Sequence, residues 1–265
     1  YWLYDRWLDR AGNSEGIFVV GDSVIWGEYV SPDGTLPGFL TRYSKPDRWF
    51  INAGVNGLFP LALEGLIGDY GGAIRGRKVI LHCNLLWMSS PKVDLQTVKE
   101  EKFNHPRLVA QFDPWIPCYK ADIAERLGIV VEKTLPFVSW VNHLQNAYFG
   151  QKNLLAWTMA EDGRDPPGFP NVYRNPLSNI LLEVPVAPPV DPERGTASLR
   201  HKPWSTTGQG TARFDWVPIE SSLQWAAFQR LTRLLVERGN DLLVVIGPFN
   251  EHMMAEENAP RFRNF

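Results

Sequence analysis

The 265-residue chain holds only two cysteines, Cys83 and Cys118. Two thiols in a chain of this length do not make a disulfide framework, so a small stapled scaffold is excluded. Whether the two pair stays open, as does the redox compartment. No run of about 18 apolar residues occurs, so the sequence offers no candidate membrane-spanning helix. Charge of one sign is missing too: 27 Lys and Arg stand against 29 Asp and Glu, for a formal net charge of -2. A basic footprint is therefore absent, and nucleic acid is not expected as a partner. No Gly-rich phosphate loop is present, and no His/Cys pair has ligand spacing on one element. Neither a cofactor nor a metal is expected. The chain begins at Tyr1 with no charged and then apolar leader.

What is present is the material for a full core. Hydrophobic residues make up 44% of the chain, the level of an ordinary globular protein. Continuous β-branched or aliphatic runs stand at Ile17–Val20, at Arg48–Gly57, at Val79–His82 and at Asp241–Gly247. Between them lie helical patterns. "TLPGFLTRY" holds a short helix interrupted by Pro37 and Gly38, and "FPLALEGLIGDY" an amphipathic one with Pro60 in its first turn. The clearest helix carries Leu223, Ala227, Leu231, Leu234 and Leu235 on one stripe, with Gly239 as its C′ residue. Apolar strands alternating with helices predict an α/β fold: a three-layer α/β/α arrangement around a mostly parallel sheet. Such sheets bind ligands at the carboxyl ends of their strands.

The division expected is an N-terminal helical extension over 1–15, a first core part over 16–89, an insertion over 90–215 and the continued core over 216–265. In the extension, "YWLYDRWLDR" reads as an amphipathic turn or two with Trp2, Leu3, Trp7 and Leu8 on one side. It is open to being the tail of something longer, such as a membrane anchor. The insertion is rich in Trp and Pro. It has room for helices near Ala121–Leu127 and Val138–Ala160, and Asp165–Pro192 reads as a wrapped loop. A lid, a partner surface and a plain cap are all open readings of it.

The chemistry concentrates at three strand ends. "VVGDSVIWG" places Ser23 on a turn after a buried strand, where a hydroxyl is exposed beside backbone N–H groups. Alone this is a weak signal, since Asp and Ser are ordinary helix caps. "INAGVNG" adds Gly54, whose N–H can approach a substrate without a Cβ in the way, and "LHCNLLW" adds the side-chain amide of Asn84. Ser, Gly and Asn in that order resemble the SGNH (GDSL-type) hydrolase family over roughly Ile17–Met88 and the strand at Leu242–Ile246. The resemblance implies a flavodoxin-like sheet and Ser23 as the nucleophile. It also implies an oxyanion hole formed by the Ser23 N–H, Gly54 and Asn84. The substrate class would be a small-molecule or carbohydrate acyl ester. It leaves localisation open, with an extracytoplasmic or membrane-associated setting favoured.

The sequence departs from that family twice. The Asn motif lacks the usual flanking Gly and Asp, reading His-Cys-Asn-Leu. No D-x-x-H follows the fourth strand, which in the family supplies the general base and its orienting acid. Either residues beyond this segment supply the base or the domain has lost it. Of the five histidines, His252, near Glu251 and Glu256, is the best internal candidate. His82 reads as a satisfied core or rim histidine, and His105 sits in the wrong place along the chain. Nothing ties His143 or His201 to Ser23. Trp26 and Trp87 follow the Ser and Asn strand ends and are expected to face the cleft, with aromatic faces suited to a sugar ring. Two functional readings follow. One is a serine ester hydrolase or acyltransferase; the other is a catalytically silent module that serves as a binding or structural subunit of a larger assembly.

Overall fold

A computed structural model describes residues 1–12, 14–27, 30–45, 48–148, 214–247, 249, 254 and 256–264. Among the described residues four strands form one all-parallel sheet: β1 (Ile17–Val20), β2 (Phe50–Asn52), β3 (Lys78–Cys83) and β4 (Asp241–Ile246), in the order β2-β1-β3-β4. The register pairs Val19 with Asn52 and Ile80, and Cys83 with Ile246, so the carboxyl ends of β1, β2 and β3 lie side by side. The helices are α1 (Trp2–Gly12), α2 (Ser23–Trp26), α3 (Leu36–Tyr43), α4 (Pro60–Tyr70), α5 (Ile123–Thr134), α6 (Pro136–Tyr148), α7 (Leu223–Glu237) and α8 (Ala259–Asn264). The β1–β2 crossover carries α2 and α3, and the later crossovers carry α4 and α7. Right-handed crossovers of opposite direction put these two sets on opposite faces, as in a flavodoxin-like sheet. The expected α/β architecture is the one observed.

Local sequence explains most element ends. α3 runs through Pro37 and Gly38 without a break, because Pro37 falls in the first turn, where its missing N–H is not needed. Thr35 caps that helix, its Oγ1 accepting from the Gly38 N–H at 3.2 Å. Gly239, at φ +75°, ends α7 in the left-handed conformation that glycine adopts freely. In α1 the buried side is Leu8 and Gly12 with Tyr4 and Ala11 packed against the core. Leu3 and Trp7 point outward, so the expected grouping of Trp2, Leu3, Trp7 and Leu8 does not hold. The i, i+4, i+7 stripe of Tyr4, Leu8 and Ala11 wins, and the Tyr4 hydroxyl fixes it by donating to the Ala53 carbonyl at 3.0 Å.

Two helix starts are capped from a distance. α4 has no cap of its own; the Leu61 N–H donates instead to Gln224 Oε1, 3.0 Å away on α7. α7 has Ser222 as N-cap, and Ser222 Oγ in turn donates to Asp94 at 2.5 Å. Asp94, fully buried, also accepts from the Leu223 and Gln224 N–H groups and from Gln96 Nε2. Burial, only partly offset by these donors, holds its carboxyl above the ordinary range. On the flank of the pair, Arg230 of α7 grips Glu64 of α4 with two hydrogen bonds of 2.7 Å.

The first part of the insertion is built into the core rather than standing off it. Leu95, Leu108, Val109, Ile116, Cys118 and Tyr119 lie in the same buried cluster as Phe18, Val79 and Leu81. The buried Arg126 of α5 anchors it, donating to the carbonyls of Gln111, Tyr119 and Ala121 with its guanidinium over the Tyr119 ring. The helix expected near Ala121–Leu127 corresponds to α5 with shifted bounds, and the one expected over Val138–Ala160 begins as α6, its part beyond Tyr148 lying outside the described residues. The Asp165–Pro192 loop lies outside the described residues. Cys83 and Cys118 are both buried and unbonded. Among the described residues no helix is long and apolar enough to cross a membrane.

β4 differs from the other strands. Among the described residues it is an edge, as β2 is, but only here are the apolar residues Leu243, Val244, Val245 and Ile246 all exposed. An exposed apolar edge is a template for pairing. Leu243→Lys on this edge, 58% exposed, is therefore expected to change unfolding free energy by less than about 1 kcal/mol and to reduce self-association. Leu81→Ala in the fully buried centre is expected to cost about 2–5 kcal/mol. Urea titration with sedimentation checks both.

Candidate active site

At the end of β1 the chain leaves the sheet as Gly21-Asp22-Ser23. Asp22 is the N-cap of α2, with Oδ1 accepting from the Val24 N–H at 3.1 Å. Ser23 is the first helical residue, half-buried, and is not the cap. No described residue forms a hydrogen bond with its Oγ or its N–H. Gly27, at φ +82°, closes this one-turn helix, so the serine sits on an isolated turn above the sheet.

Asp22 joins the neighbouring strand end to this turn. Its Oδ2 accepts from Asn84 Nδ2 at 2.6 Å and from the Trp87 indole N–H at 2.9 Å. Asn84 is held at both ends, because its Oδ1 accepts from the Leu86 N–H at 3.0 Å. His82 Nδ1 stands 3.4 Å from Asp22 Oδ1, within ion-pair distance. Asp22 is only 3% exposed. Burial pushes its carboxyl up, but His82, Asn84 and Trp87 together outweigh burial and hold it below the ordinary carboxylate range. The same charge acts on the thiol of Cys83, which burial and Asp22 push up to about 12.

The β2 end completes the cluster in a different way. Gly54 presses on α2: a Cβ there would come within 2.6 Å of the Trp26 backbone nitrogen. Its own N–H donates to Asn52 Oδ1 at 3.1 Å, while Asn52 Nδ2 donates to the Trp26 carbonyl at 3.3 Å. Gly54 thus contributes close approach, and in this arrangement its N–H is directed at Asn52. Sequence reasoning passed over Asn52, which clamps the two strand ends together; its position on the last residue of β2 was the available signal.

Trp87 lines a cavity of about 10 Å³ against Asp22, with His82, Asn84, Leu58, Pro60, Leu63 and Phe228 around it. Trp26 is not among its walls, and its Nε1 is buried without a hydrogen-bond partner. His252 lies outside the described residues, as does His201. His105 has both ring nitrogens engaged: Nε2 donates to the Asn56 carbonyl at 2.8 Å, which leaves Nδ1 to accept from the Tyr1 hydroxyl at 2.9 Å. His143 stacks on Trp2 at 4.9 Å. A larger cavity of about 310 Å³ lies between α1, α4, α5 and α6 and includes none of the strand-end residues. Its Arg107, Glu132 and Ser139 are paired with one another or with neighbouring backbone. Among the described residues no group of three or more His, Cys, Asp or Glu is arranged to hold a metal ion.

Comparison with known proteins finds no matching family model, no matching curated protein and no matching solved structure. The site therefore stands on its own geometry.

A depressed carboxylate stabilises the fold above the unfolded-state range and loses that contribution as pH falls through the folded value. Asp22→Ala is accordingly expected to cost about 2–4 kcal/mol near pH 7, because Asn84, Trp87 and the Val24 N–H lose a charged acceptor. The gap between the parent chain and the variant should close as pH drops below about 4. Urea denaturation midpoints across that range measure it.

Proposed function

We propose that the chain is a serine ester hydrolase or acyltransferase of the SGNH type, acting on an acyl ester, with acylated carbohydrate a fitting substrate class. The observation that carries the reading is the 2.6 Å bond from Asn84 to Asp22, the residue before Ser23. That bond places a side-chain amide beside the serine turn, and one of the two N–H groups on Asn84 Nδ2 remains to face a substrate. The Ser23 N–H and this amide are the two donors suited to a developing oxyanion.

In this reading the Ser23 hydroxyl attacks the acyl carbon, its proton passes to a base, and the alcohol leaves as the C–O ester bond breaks. Water or a sugar hydroxyl then attacks the acyl-enzyme, releasing Ser23 and the acid or the new ester. Gly54 lets the β2 end close on the serine turn. Trp87 borders the site through its apolar ring, and its N–H serves Asp22. The base is a histidine from residues beyond this segment, or His252.

One observation favours the second reading, a silent binding or structural module. Among the described residues no histidine is hydrogen-bonded to Ser23 Oγ, and an unaided serine hydroxyl is a weak nucleophile.

A fluorophosphonate probe on the natural full-length chain separates the two. Labelling confined to Ser23, absent in Ser23→Ala and slowed about a hundredfold to a thousandfold in Asn84→Ala, is expected. A parent chain that stays unlabelled from weakly acidic to weakly basic pH would leave the silent module as the reading.

A further inference from the structure

His82 stands where the SGNH pattern has glycine, and the structure gives it a place made for an imidazole. The residue is 6% exposed, on the penultimate position of β3. Glycines flank it on both neighbouring strand ends. A Cβ at Gly21 would come within 2.9 Å of His82 Cβ, and one at Gly247 would overlap Nε2. Neither Nδ1 nor Nε2 makes a hydrogen bond, although both are buried. A buried imidazole normally has partners for both nitrogens, so an orphan of this kind calls for an explanation.

The group it faces supplies one. From the β1–α2 turn, Asp22 Oδ1 is 3.4 Å from Nδ1. Beside it stand Val245 of β4 and the following Gly247, and the cavity that His82 shares with Asp22, Asn84 and Trp87 is otherwise lined by the apolar Leu58, Pro60, Leu63 and Phe228. On its own strand the neighbouring Cys83 thiol is held protonated. Asp22 is thus the one charged group facing the ring among the described residues, and its other oxygen holds Asn84 and Trp87.

We propose that His82 is a positioning residue whose proton state, acting through Asp22, sets how firmly Asn84 and Trp87 are held. With a neutral ring, the carboxylate charge is spent on the Asn84 amide, the Trp87 indole and the Val24 N–H. With an imidazolium, Oδ1 is drawn to the ring, and the charge available to the Oδ2 partners falls. The oxyanion arm is therefore held more firmly beside a neutral ring than beside an imidazolium. The catalytic consequence rests on the reading of Ser23 and Asn84 given above; the coupling itself does not.

The test is nuclear magnetic resonance on the full chain between about pH 5 and pH 9, the range that brackets histidine titration. The Trp87 indole N–H and the Asn84 side-chain N–H signals are expected to move downfield as pH rises, with the same midpoint as the His82 ring. His82→Asn keeps a donor toward Asp22 without a titration, so both inflections should vanish in it. Flat Trp87 and Asn84 signals while His82 titrates would overturn the proposal, and so would a His82 ring that does not titrate in this range. Should the variant fail to fold, the parent titration alone decides. Fluorophosphonate labelling of Ser23 over the same range separates the two ideas. Coupled signals without labelling remove the catalytic reading and keep the coupling, whereas labelling without coupled signals removes the coupling alone.

Discussion

The buried carboxylate of Asp22 is the constraint on which the strand-end cluster depends. It caps the one-turn helix that carries Ser23, and it fixes the amide that follows β3 and the indole three residues later. A charge at 3% exposure is tolerable only with several donors around it. Those donors come from α2, from the end of β3 and from the turn after it. The cost of burying the charge therefore obliges three chain segments to converge on one spot.

Around that spot the fold uses the same economy at its helix starts. Asp94 serves the first turn of α7, and Gln224 in that first turn serves the first turn of α4. A buried helix start without partners is expensive, since its leading N–H groups have no acceptor inside the helix. Here each start is completed by the element packed beside it. The insertion reaches the core through Asp94, which serves α7, and through Leu95, Leu108 and Cys118 in the buried cluster.

The strands were legible because they are continuous Val, Ile and Leu runs, and parallel pairing follows from the helices between them. Ser23, Gly54 and Asn84 were legible as residues at adjacent strand ends. The partners that complete the site were not. Asp22 reads as a cap in the sequence, and its bonds to Asn84 and Trp87 span 62 and 65 positions that no local spacing encodes. Gln224 looks like an ordinary polar residue on a helix, yet it reaches across 163 positions to Leu61. His82 was expected to be satisfied, whereas the structure leaves both of its nitrogens without hydrogen bonds. The face of α1 was misjudged because Leu3 and Trp7 are as apolar as the residues that are buried. The packing of Tyr4, Leu8 and Ala11 on the core and the Tyr4 bond to Ala53 favour the other side.

The two glycines beside His82 carry a consequence for how this sequence can drift. At Gly247 the His82 ring occupies the space a Cβ would need, whereas at Gly21 that space is taken by Ile25 and by the His82 Cβ. A lineage that replaced His82 with a small residue would release Gly247, while Ile25 would still crowd Gly21. A lineage that acquired a side chain at Gly247 first would have to expel the ring and open the rim. Positions 82 and 247 form an ordered pair in which the histidine must change before the glycine.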